Sequence, residues 1–143
     1  MGLRSGWRRL LGRADATGLD PDRDDLVVVV SSFDDAEACS AALRRAAGWV
    51  PEDPAVLRHH LRVPVDQADR VIDIAAQDGY APAERTESDA QIVELVLRRV
   101  QLLDALHCSQ ERSRMAGLAQ RHDGVARGWD ALQPGDKRIA GSH

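Results

Sequence analysis

The sequence predicts an α+β fold: an antiparallel sheet with two helices on one face, plus an extra N-terminal strand and helix. Three observations carry that expectation. The chain has 143 residues, enough for one domain around a single core of modest size. Hydrophobic residues make up 43% of it but aromatics only 3%, so the core has to be built from Leu, Val, Ile and Ala. From about residue 55 the hydrophobic period alternates between strand and helix in the order β-α-β-β-α-β. That is the order of the ferredoxin-like split βαβ sandwich.

Taken in turn, Leu26 to Val30 is a β-branched run bounded by Asp25 and Ser31, which predicts a strand buried on both faces or nearly so. Asp34 or Ser32 is positioned to cap the next helix, with Asp35 and Glu37 in its first turn. Ala36, Cys39, Ala42, Leu43 and Ala46 recur at helical spacing, and Gly48 ends the run. Trp49 to Pro54 is a turn-rich connection. From Val56 to Val63 residues alternate, with Leu57, His59, Leu61 and Val63 on one side and Arg58, His60 and Arg62 on the other. Val65-Asp66 opens a helix with Ala68, Val71, Ile72, Ala75 and Ala76 on its apolar face, and Asp78-Gly79 stops it. Tyr80 to Thr86 reads as a weaker strand, and Pro82 puts it at an edge. A strand follows from about Gln91 to Arg99, then a helix from about Leu102 to Arg121 with Leu103, Leu106, Gln110, Arg114, Met115 and Leu118 along one face. Val125 to Leu132 is the last strand. The expected organisation is a flexible segment over 1–25, one domain over 26–133 and a tail over 134–143.

Charge and cysteine usage narrow the function classes. The formal charge is -4, against the strongly basic face of a protein that wraps nucleic acid. It is uneven: Arg4, Arg8, Arg9 and Arg13 precede an acidic block of Asp15, Asp20, Asp22, Asp24 and Asp25, read as a linker. Leu3, Trp7, Leu10 and Leu11 make residues 1–13 a basic amphipathic piece, either a frayed terminus or an anchor for an acidic partner or anionic membrane surface. Gly6 breaks the myristoylation pattern. The start lacks the apolar run of a secretory leader, so Cys39 and Cys108 are expected to be reduced, buried structural thiols in a cytoplasmic protein. No transmembrane segment and no cofactor are expected.

No catalytic set assembles from the sequence. Neighbouring strand residues face opposite ways, so His59 and His60 are poorly placed to chelate one metal; one faces the helices and the other the open side of the sheet. Acidic Asp34 and Asp35, with no glycine, argue against a phosphate loop after the first strand. Arg98, Arg99, Arg112, Arg114 and Arg121 are interleaved with Glu94, Asp104, Glu111 and Asp123, which predicts a mixed solvated face. Trp129 and Trp49 each read either as core plugs or as partly exposed anchors for a partner. His59, His60, Trp49 and Trp129 are therefore the candidate interface residues.

Three stretches also resemble the RraB family, regulators of ribonuclease E activity with a ferredoxin-like fold. They are Arg58-His59-His60-Leu61, Ala75-Ala76-Gln77-Asp78-Gly79-Tyr80, and Leu118 to Arg121 running through Asp123 to Gly128-Trp129. The likeness spans Val56 to Leu132; the family's long acidic C-terminal tail is missing, and the strand from Leu26 and the basic N-terminus are additional. The resemblance implies a non-enzymatic regulator or adaptor that binds a protein partner, with ribonuclease E or its assembly as the partner it suggests, through the open sheet face or an edge strand. The alternative is a small ferredoxin-like enzyme or ligand-binding module using His59 or His60 in a pocket between sheet and helices. A third possibility is an RNA-binding domain.

Overall fold

A computed structural model describes residues 18–135. Five antiparallel strands form one sheet: β1 (Leu26–Ser32), β2 (Pro54–Pro64), β3 (Ala81–Glu87), β4 (Ile92–Leu102) and β5 (Val125–Pro134). Three helices accompany it: α1 (Cys39–Arg45), α2 (Ala68–Ala76) and α3 (Ala105–Arg121). The strand order is β1-β5-β2-β4-β3. The last strand in sequence therefore lies between the first two. The expected α+β class and antiparallel sheet hold, and the strand from Leu26 joins the main sheet, on β5.

The register sorts side chains between two faces. Alternation along β2 sends Ala55, Leu57, His59, Leu61 and Val63 to the helices. Directly opposite them on β4 lie Gln101, Arg99, Leu97, Leu95 and Val93, and on β5 Trp129 faces His59. Two apolar clusters fill the space beneath the helices. One joins α2 and α3 through Val71, Ala75, Met115 and Leu118; the other joins α1 to the sheet through Cys39, Leu43, Leu57 and Trp129. Bulges interrupt the ladder at Val28/Val30, His60/Leu61 and Pro82/Glu84, and at the last of these the predicted edge proline stands where a ladder donor is dispensable.

Several boundaries differ from the sequence expectation, each for a local reason. The helix expected from Asp34 begins at Cys39 behind Ala38, which supplies no side-chain cap. Asp34 instead turns on itself, its carboxylate accepting from Ala36 N at 2.9 Å. Glu37 bonds Ser32 Oγ at 2.7 Å and Arg45 Nε at 2.7 Å rather than charging a helix start. Hydrogen bonds from Arg45 and Ser32 hold the Glu37 carboxyl down at about 2. Asp104, whose Oδ1 accepts from His107 N at 2.8 Å, starts α3 three residues later than expected. The buried face of α3 is then Cys108, Glu111, Met115, Leu118 and Ala119, and Leu106, expected inside, is 62% exposed.

The segment before β1 is not a free linker throughout. Arg98, on the face away from the helices, donates to Pro21 O at 3.1 Å and Asp22 Oδ1 at 2.8 Å. Residues just upstream of β1 therefore lie against the open face, where Val56 is only 2% exposed. Residues 1–13, and the tail beyond Gly135, lie outside the described residues.

Candidate functional site

His59 and His60 part to opposite faces as strand geometry requires, and each organises a different cluster. On the helix side, Arg99 reaches over the Tyr80 ring, 4.5 Å from its centroid, and donates to Asp78 O at 2.8 Å. Tyr80 Oη donates to Glu111 Oε1 at 2.7 Å, and Glu111 is flanked by Arg99 at 3.4 Å and Arg114 at 3.3 Å. Burial raises the Glu111 carboxyl, but the Tyr80 hydroxyl and the two arginines outweigh it and keep it below its ordinary value. An ionised carboxylate only accepts, so the single Tyr80 proton belongs to Glu111. The phenolic oxygen is then left to accept from His59 Nε2, 3.4 Å away. Arg99 and Glu111, expected on a solvated face, are thus inside, because Arg99 shares the sheet face of Leu57.

That chain fixes His59 as a neutral imidazole with its proton on Nε2. Burial is the main cause of its lowered pKa, which falls to about 3. His59 also lines a cavity of about 320 Å³ between α3 and the start of β5, together with the apolar Met115, Ala116, Val125 and Ala126 and the polar Asp35, Arg112, Ser113 and Gln120. The cavity lies where β1 stops short. Ser32 pairs with Trp129, so Val125 to Gly128 have β2 on one side and, among the described residues, no strand on the other.

On the open face, Arg58 grips Asp130 with two bonds, Nε–Oδ1 at 2.7 Å and Nη2–Oδ2 at 2.8 Å, and His60 Nε2 lies 3.1 Å from Oδ2. Burial opposes the charge on Asp130, but hydrogen bonds from His60 and Arg58 prevail and hold its carboxyl low. The Phe33 ring packs edge-on to His60, with centroids 5.0 Å apart, and covers Gly128. A Cβ on Gly128 would lie 2.3 Å from that ring, which is why glycine precedes Trp129.

The two tryptophans do not join either cluster as exposed anchors. Trp129 is 1% exposed and sits on the helix side opposite His59; Trp49 packs against the same apolar cluster. The burial of Trp129 supports its core-plug reading, whereas Trp49 is only partly buried against that cluster. Of the four candidates, His60 alone combines partial exposure with the open face. The two thiols are free and buried as expected; burial and then the hydrogen bond with Cys39 push the Cys108 thiol well above its ordinary value. Phe33, Tyr80 and Glu111 were not singled out as site residues from the sequence, because their contacts join positions far apart in the chain.

Among the described residues, no group of three or more His, Cys, Asp or Glu side chains is placed to hold a metal ion, and no helix is long and apolar enough to cross a membrane. Comparison of the chain with family models, curated proteins and solved structures found no match in any of the three.

Proposed function

We propose that this chain is a non-enzymatic regulator with a ferredoxin-like core, binding a partner protein along the exposed edge of β1, with ribonuclease E or its assembly as the first partner to test. Supporting the core reading is the order β5-β2-β4-β3 within the sheet, in which β2 and β3 run the same way with β4 between them. β1 and α1 are then an addition on the β5 side.

The observation that carries the binding reading is the contrast between the two sheet edges. β3 is guarded, its sequence Ala-Pro-Ala-Glu-Arg-Thr-Glu presenting charges and a proline on an exposed strand. β1 carries Leu-Val-Val-Val-Val-Ser-Ser with no charge, pairs among the described residues only with β5, and leaves Val27 and Val28 about half exposed. Phe33 extends the apolar strip just beyond its end and is 54% exposed. Such an edge is suited to accept an added strand from a partner.

The test is binding of the purified chain to purified ribonuclease E, with RNA cleavage followed in parallel. The expected result is a complex and slower cleavage, both weakened at least about tenfold by Val28→Lys, which places a charge on the edge at an exposed position. No complex and unchanged cleavage would remove ribonuclease E as the partner. If Val28→Lys instead dissolves a homodimer, the edge serves self-association and the regulator reading fails.

A further inference from the structure

We infer that the cavity between α3 and the start of β5 is a binding site for a small, neutral molecule that has an apolar part and donates one hydrogen bond to His59 Nδ1. The inference stands apart from the partner reading, since the cavity opens beside α3 and not along β1.

Three observations carry it. His59 is almost wholly buried, yet Nδ1 has no partner among the described residues. With Nε2 turned to Tyr80, Nδ1 is the ring nitrogen left for the cavity that His59 lines. The hydrogen-bond chain through Tyr80 and Glu111 assigns the character of that atom: it is a lone pair, an acceptor, and its complement is an O–H or N–H. Asp35 lines the same cavity, which disfavours an anion. Arg112 on the cavity wall already donates to Asp34 O at 2.9 Å and to Glu37 O, stapling the β1–α1 connection to α3. Met115, Ala116, Val125 and Ala126 offer apolar wall to one part of a ligand, and Asp35, Ser113 and Gln120 add polar groups beside it. A concave space of about 320 Å³ in which a few polar groups converge beside apolar wall is a usual form of a small-molecule site.

The test uses phenol as the donor-bearing probe and anisole, its methyl ether, as the same shape without the donor. Both are titrated into the full chain and followed by NMR. In the ligand-free protein the expected signature is an unprotonated Nδ1 and a protonated Nε2. Phenol is expected to shift the His59 ring nitrogens and the Met115 methyl, and to bind about tenfold more tightly than anisole. His59→Phe, which keeps a ring and removes the acceptor, is expected to abolish that preference. Ala116→Leu on α3, and separately Ala126→Ile on β5, fill the space from the walls and are expected to eliminate binding while the thermal transition persists. If the histidine variant does not fold, the phenol–anisole comparison on the native chain decides alone. Equal binding of the two probes, perturbations away from His59, or undiminished titration of the filled variants would overturn the inference. So would binding confined to N-acetyltyrosinamide with movement of the Val125 to Arg127 amides, which assigns the notch to an incoming polypeptide.

Discussion

At the scale of single residues, position 59 sets a dependence of stability on acidity. Burial depresses the His59 pKa from 6.5 in an exposed chain to about 3 in the fold. Below pH 6.5 the unfolded chain binds a proton that the folded one refuses, so stability is full above that value and falls with decreasing pH toward 3. Between pH 6.5 and 5 the linkage amounts to about 2 kcal/mol. Urea unfolding at pH 7 and pH 5 is expected to show a larger loss for the native chain than for His59→Phe, by about that amount. Gly128 offers a second residue-level test. Its added Cβ would meet both the Phe33 ring and Ser32 O, so Gly128→Ala is expected to destabilise by about 1–3 kcal/mol in denaturant titrations. Phe33→Ala in the same chain is expected to recover only part, because the backbone oxygen remains 2.7 Å from that Cβ. The separation of His59 from His60 was legible in the sequence because alternation along a strand is a local property. The Tyr80–Glu111 bond was not, because its partners are 31 positions apart and only the packed sheet and helix bring them together.

At the scale of elements, the strands were easier to read than the helix ends. The β-branched run before Ser31 and the alternating stretch through His60 announce themselves, and both became strands. The acidic cluster before α1 misled, since Asp34 and Glu37 found turn and ion-pair partners before a helix could use them. For α3 the expected stripe is right at Met115 and Leu118 but wrong in the first turn: Leu106 is apolar enough to suggest burial, yet Cys108 and Glu111 take the inward positions and Leu106 faces out. The missing cap on α1 leads to a gain-of-stability test. Ala38 is exposed, has extended backbone angles and supplies no side-chain acceptor. Ala38→Asp is therefore expected to raise stability by about 0.5–2 kcal/mol, read as a higher denaturation midpoint. In α3 the reverse change, Asp104→Ala, is expected to cost about 1 kcal/mol and to free the first-turn amide of His107 to exchange faster.

At the scale of the whole molecule, the sheet has a face padded by three helices and another that borrows cover from the chain upstream of β1. Arg98 ties that segment down through Pro21 and Asp22, over a surface that includes buried Val56 and Val96. A chain beginning at Leu26 is expected to bind a hydrophobic dye and to unfold at lower temperature than the full chain, whereas Arg98→Ala should give a weaker version of both effects. This arrangement was beyond sequence reading, because an acidic stretch with glycine and proline carries no periodicity to say what it touches. The position of β5 also bears on how the molecule is made. Among the described strands, the one seated between β1 and β2 is also the last to be synthesised, so β1 waits without its hydrogen-bonding neighbour until β5 follows it. A product cut before Val125 is consequently expected to leave that valine-rich strand bare and available to chaperones or to aggregation.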